Sequence, residues 1–205
     1  MSQRTKDKVA NAAVHLFYLK GFHGTSVRDI ASNAKVNVSM ISYYFKNKQG
    51  LLEYLIIEYY ETYLEKLEAA QKEMDSTENP KNQMNQLIDT IIHYKHENHQ
   101  FTGFIQRELS KDNVLVRELL VTYLAKEKFI LEEGFYRLIN SSSHSTIEKE
   151  MLFFQFYGLL HIPFNMSYEW KNIVGMNRST DLYIETYKRS IKNWIDTLIG
   201  SEKAQ

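Results

Sequence analysis

Cysteine is missing from all 205 residues. That excludes disulfides and thiolate metal ligands and agrees with a reducing, cytoplasmic setting. No run of about 18 apolar residues occurs, so a membrane span is not expected. The first 20 residues mix charged and apolar positions without an apolar centre, which argues against a secretory leader. Gly/Ser-rich linkers and internal repeats are absent too. So are a P-loop, a G-x-G-x-x-G turn, a Ser/His/Asp set and paired carboxylates with helical support, so neither an enzyme nor a cofactor is expected.

Net charge is the last absence, 25 basic residues against 25 acidic, and it is not uniform. Residues 1–50 hold Arg4, Lys6, Lys8, Lys20, Arg28, Lys35, Lys46 and Lys48 against Asp7 and Asp29, so a basic head precedes an acidic remainder. Such a split suits a polyanion-binding module joined to something else.

The pattern throughout is helical. Val9, Ala12, Ala13, Leu16 and Phe17 form one stripe of a first helix that ends at Gly21. Thr25 and Ser26 are the N-cap residues of a second, with Val27, Ile30, Ala31 and Ala34 on one face. Asn37 caps a third that reaches Phe45. There Ile41 and Phe45 point inward, and at about 100° per residue Ser39 and Tyr43 fall on the outer face, flanked by Met40 and Ser42. A small, polar and aromatic outer face followed by Lys46 and Lys48 suits a helix in a major groove with cations on phosphate. A surface hairpin of an all-α protein has the same periodicity.

Asn47 caps a fourth helix from Lys48 to about Met74, and its amino terminus can face a phosphate. Residues 75–82 break the chain. Helices are then expected over residues 81–98, 100–109, 113–140, 145–166 and 180–199, with room for a kink at Gly134. His93, His96 and His99 resemble a metal cluster, but steps of three spread the rings over about 120°, so no metal site is expected. His161 beside Pro163 reads as a hydrogen-bonded core histidine, and Arg107-Glu108 and Arg117-Glu118 as solvated pairs. Phe153, Phe154, Phe156, Tyr157, Leu159, Leu160 and Ile162 cover nearly every face of their helix. Tyr183, Tyr187, Ile191, Trp194, Ile195 and Leu198 make a stripe on the last. Either set is also ordinary core.

The string G-F-x-G-T-S-V-x-x-I-A, then V-N-V-S, then Y-Y-F-x-N-K-x-x-L resembles the N-terminal domain of the TetR family over residues 8–52. The resemblance implies an all-α fold of about nine helices: a helix-turn-helix head, residues 1–47, and a helical ligand-binding and dimerisation domain, residues 48–205. It implies that Arg28, Val38, Ser39 and Tyr43 face bases, and that Thr25, Ser26, Ser42, Tyr44, Lys46 and Lys48 meet phosphate. Lys35 stands where a turn glycine is common. The family reading implies a homodimer through Phe153, Phe156, Tyr157, Leu160, Tyr187, Ile191, Trp194, Ile195 and Leu198. It also implies a repressor released from double-stranded DNA by a small apolar ligand near Tyr94, Phe104, Tyr123 and Phe154, residues equally suited to core. A closer likeness, in GTSVR-x-IA, ISYYFK and the body's YL-x-KEK, is to the RefZ-like regulators. It implies chromosomal-site binding that affects cell division through a protein partner.

Overall fold

A computed structural model describes residues 2–72, 79–111, 113–140, 144–165 and 180–200. Among them it is all helical, with α1 (Ser2–Lys20), α2 (Val27–Ala34), α3 (Ser39–Phe45), α4 (Lys48–Lys72), α5 (Pro80–Glu97), α6 (His99–Ser110), α7 (Val114–Leu138), α8 (Thr146–Asn165) and α9 (Thr180–Gly200). Most of the break expected at residues 75–82 lies outside the described residues. By packing, the chain forms two compact units, residues 1–62 with 98–123, and residues 63–97 with 124–205.

In the first unit the expected stripes close on one another. Val9, Ala13 and Phe17 of α1, Ile30 of α2, Ile41 of α3 and Leu51 and Leu52 of α4 are buried. Gly21, at φ +75°, ends α1. Helix α6 packs on α1 and stacks Phe104 on Phe17 at 5.4 Å. Arg107 of α6 donates to the carbonyls of Phe17 at 2.6 Å and Tyr18 at 2.8 Å. These belong to the last turn of α1, where the Phe17 carbonyl also accepts from the Gly21 amide at 2.9 Å. Glu108 beside it is buried and accepts from Asn113 at 2.9 Å. The expected solvated pair is thus corrected: Arg107 caps a neighbouring helix and Glu108 sits beneath it. Arg117 and Glu118 are exposed.

In the second unit α5 packs against α8 and α9. Its stripe of Met84, Leu87, Ile88, Ile91 and Ile92 is buried, and Lys81 and Asp89 pair with Asp196 and Lys192 of α9, each at 2.6 Å. Phe135 of α7 stacks on Phe156 of α8 at 5.1 Å. Helix α7 runs unbroken through Gly134, where an added Cβ would lie 3.2 Å from Met84 and 3.3 Å from Leu87. The glycine admits close packing of α5.

Candidate nucleic-acid interface

The outward face of the head is built from its caps. Ser26 and Asp29 close a reciprocal capping box: the Asp29 amide donates to Ser26 Oγ at 3.1 Å and the Ser26 amide to Asp29 Oδ2 at 2.9 Å. Those bonds, the backbone one first, hold the Asp29 carboxyl below its ordinary range. This fixes the start of α2 with Ser26 and Arg28 exposed.

Helix α2 ends at Lys35 in the left-handed region, φ 56° and ψ 47°, which costs a residue with a side chain about 1 kcal/mol. Asn37 then caps α3, its Oδ1 accepting from the Ser39 amide at 2.9 Å and the Ser39 hydroxyl at 2.8 Å. With Ile41 and Phe45 buried, Val38, Ser39, Ser42 and Tyr43 are exposed, Tyr43 by 77%. Tyr44 is half-buried and meets the Tyr43 ring edge-on at 4.9 Å, which props that ring.

The exit from α3 is tighter. Lys46 has φ 67° and ψ −54°, and the Asn47 amide donates to the Phe45 carbonyl at 2.8 Å. This is a γ-turn of the strained hand, rare for a residue with a side chain. It lays the Phe45 carbonyl over the first turn of α4, where a Cβ on residue 50 would lie 2.2 Å from that oxygen, so Gly50 is required. Asn47 caps α4 by accepting from the Gly50 amide at 2.8 Å.

Two residues expected on phosphate point elsewhere. Thr25 is 1% exposed, and its hydroxyl donates toward the carbonyls of Gly21 at 2.9 Å and Leu16 at 3.2 Å. Its hydroxyl satisfies the end of α1, which removes it from the phosphate set. The Lys48 ammonium donates to the carbonyls of Phe22 and Thr25, both at 2.8 Å, and lies 4.3 Å from the Phe22 ring centre. Burial also draws its pKa down. Lys48 therefore staples the α1–α2 turn to α4. Ser26, Ser42 and Lys46 remain exposed.

The residues expected at the dimer interface divide. Phe153, Phe156, Leu160, Ile191 and Ile195 are buried within one protomer, because α8 turns that face onto α7 and α5. Tyr157, Trp194 and Leu198 are half-buried, and Tyr187 is half-buried with its hydroxyl donating to the Leu159 carbonyl at 2.8 Å. The face of α8 left exposed carries Ile147, Met151, Phe154 and Ile162. The four expected pocket residues fall two in each unit. Phe104 is core of the first unit, and Tyr123 there stacks on Tyr60 at 5.1 Å. In the second unit Phe154 is 73% exposed. Tyr94 borders an open groove of about 500 Å³ with Lys66, Gln86, Asp89, His93 and Lys188. Periodicity placed Phe154 on an all-apolar helix but could not say which side its own unit would cover.

Sequence reasoning missed a buried cluster in the second unit. Lys95 Nζ lies 2.9 Å from Glu127 Oε1 and 3.0 Å from His161 Nδ1, and Tyr63 donates its hydroxyl to the same Glu127 oxygen. Burial, and then the Lys95 cation, push His161 down to about 3, so it is neutral. Burial would raise Glu127, but the Lys95 cation and the Tyr63 hydroxyl outweigh it and hold the carboxyl below its usual value. The signal was present: Lys95 follows Ile88, Ile91 and Ile92 at a core position, and Glu127 lies seven after Leu120 and four before Leu131. His93 and His96 pair with Glu97 at 3.2 Å and Asp181 at 3.4 Å.

A short helix that turns serines and a tyrosine outward, gripped by a capped helix before it and a stapled one after it, defines a helix-turn-helix DNA-binding regulator. The family model described as bacterial regulatory proteins, tetR family, matches residues 10–55. The probable HTH-type transcriptional regulator YttP of Bacillus subtilis (strain 168) is 40% identical over 199 residues, 95% of this chain and 94% of that protein. The HTH-type transcriptional repressor NicS of Pseudomonas putida is 42% identical over 50 residues, 24% of each. The crystal structure of the transcriptional regulator FadR from Bacillus subtilis in complex with stearoyl-CoA matches with a TM-score of 0.71 at 20% identity, over 92% of this chain and 96% of that one. The chain belongs to the TetR family of DNA-binding transcriptional regulators, and it is not an enzyme. Among the described residues, no helix is long and apolar enough to cross a membrane.

Proposed function

We propose that the chain is a homodimeric repressor that binds palindromic operators in the cytoplasm, on the nucleoid. The observation that carries this is Tyr43, 77% exposed at the centre of the outer face of α3. It stands among the exposed Val38, Ser39 and Ser42, so the outer face offers one aromatic and several small polar groups to a groove. Val38, Ser39, Tyr43 and Arg28 read base edges. Ser26, Ser42, Tyr44 and Lys46, with the amino terminus of α4, grip phosphates. The reading head is residues 1–47, and residues 48–205 serve dimerisation and response.

One helix of seven residues reads few bases, whereas two held about 34–36 Å apart read a palindrome. The pairing surface is the exposed stripe of α8: Ile147, Met151, Phe154 and Ile162, with Gly158, beside which an added Cβ would meet nothing within 4 Å. Helix α9 lies alongside its mate in the same bundle.

For release, the first reading is a ligand that binds between body helices and alters the spacing of the heads. The stearoyl-CoA complex of the FadR neighbour supports it, as does the groove beside Tyr94. A second reading, a RefZ-like platform acting on cell division through a protein partner, is favoured by one observation: the polar cluster of Lys95, Glu127 and His161 fills the buried centre of the second unit. Selection of bound sequences from a random duplex pool tests the proposal. A palindromic consensus with loss of binding at higher salt is expected. No preference among duplexes, or a monomer by sedimentation, overturns it. Adding acyl-CoA to the bound complex separates the two readings.

A further inference from the structure

Five side chains converge inside the second unit from four helices: Tyr63 of α4, Lys95 of α5, Glu127 of α7, and Tyr157 and His161 of α8. Lys95, Glu127 and His161 are 3%, 1% and 6% exposed, and Tyr63 is fully buried. Four of the five face the fifth. The Lys95 ammonium and the Tyr63 hydroxyl both donate to Glu127 Oε1. The Tyr157 phenol lies near Glu127, and burial first, then that carboxylate, raise its pKa. His161 Nδ1 lies 3.0 Å from the Lys95 ammonium, and its Nε2 lies 3.5 Å from that ammonium and 3.8 Å from Glu127 Oε1. Rings wall the group: Tyr94 stacks on Tyr63 at 5.2 Å and Tyr157 lies tilted beside His161 at 4.2 Å.

An ion pair that merely filled space would need one cation, and apolar residues of similar volume would fill it as well or better. Here a cation and a phenol donate to one carboxylate oxygen, with a second phenol and an imidazole beside them. That is the donor set a protein presents to the acid group of a bound molecule. The asymmetry is the argument: α4, α5 and α8 supply the donors, and α7 supplies the one acid they hold. The carboxylate reaches them on the short, flexible stem of a glutamate.

We propose that Tyr63, Lys95, Tyr157 and His161 form a carboxylate receptor which the chain fills with its own Glu127, so that an external carboxylic acid can enter only by displacing that side chain. The inference goes beyond the DNA-reading role and does not rest on it. It also specifies size. Replacing Glu127 by alanine deletes one methylene and one carboxylate, so the space left matches acetate. Formate is a carbon short, and propionate carries a methylene that a closed site must make room for.

The test is thermal unfolding of the full-length Glu127→Ala protein at pH 7.5 with sodium formate, acetate or propionate, against chloride at equal ionic strength. The variant is expected to melt about 10 °C below the parent, since it buries an uncompensated cation. Acetate is expected to restore at least half of that loss with a saturating dose dependence, more than formate or propionate. The parent and the Lys95→Met/Glu127→Ala double variant should not respond. Equal gains in parent and variant, a gain that survives loss of Lys95, or no gain in a variant that is helical by circular dichroism overturns the proposal. Should Glu127→Ala be unfolded in chloride, refolding in acetate decides: return of helix supports the site, and its failure to return counts against it.

Discussion

The turn that carries α3 and the centre of the second unit both place polar side chains where the backbone packs tightly, and they do so in opposite ways. Around α3 every cap is local. Ser26 serves Asp29, Asn37 serves Ser39 and Asn47 serves Gly50. These bonds lie at the surface, each is worth about 1 kcal/mol, and losing one leaves the others intact. In the second unit Lys95 meets Glu127 across 32 residues, Tyr63 meets Glu127 across 64, and Lys95 meets His161 across 66. Those groups are out of water, so each depends on all the others. The head is made of separable parts; the second unit has one indivisible knot.

The sharpest way to break this contrast is at the knot. Lys95→Met alone should cost about 3–5 kcal/mol in urea denaturation, because Glu127 stays buried without its cation, whereas Lys95→Met with Glu127→Leu should recover most of that. Equal losses from the single and double changes would show that the knot is a set of separable parts after all.

Acid should loosen the same place next. His161 sits near 3 in the fold against about 6.5 in the unfolded chain. The unfolded chain therefore binds the extra proton between those values. The stabilisation is complete above about pH 6.5 and falls by about 1.4 kcal/mol per unit as pH drops toward 3. Glu127, held low, adds to the fall below its ordinary range. Denaturation curves at stepped pH should lose this slope between pH 6 and 5 in His161→Asn.

In the head the effects should separate by residue. Tyr43→Ala is expected to flatten sequence preference by about 1–3 kcal/mol between best and mismatched duplexes while leaving stability within about 0.5 kcal/mol. Lys48→Met should do the reverse, lowering the melting temperature with little change in salt slope, since its ammonium is committed to Phe22 and Thr25. Fluorescence anisotropy at several salt concentrations, paired with thermal melts, reads both. The smallest change is a gain: Lys35→Gly should add about 1 kcal/mol by relieving a left-handed residue, with the selected sequence unaltered.

The head was legible because its logic is local. The 3.6-residue stripes of α1 to α3, the Ser26 and Asn37 caps and the outward turn of Tyr43 all follow from spacing within a dozen residues. What spacing hides is a side chain that folds back: Thr25 and Lys48 carry the right chemistry for phosphate, but carbonyls at the end of α1 and in the following turn claim them first. Helix α8 shows the other limit. With Phe153, Phe154 and Phe156 on different sides, no periodicity tells which ring meets α7 and which is left facing out. The cluster around Glu127 was hidden because its members lie far apart in the chain, though two charges on apolar stripes were a clue in plain sight.

The γ-turn at Lys46 sets two requirements against each other within a single amino acid. Backbone comfort there favours glycine, while a grip on a polyanion favours a long cationic arm. Breeding this protein for heat tolerance alone would reward the first and erode the second, so a hardier descendant would carry less positive charge at the exit of α3 unless a neighbouring position took it over.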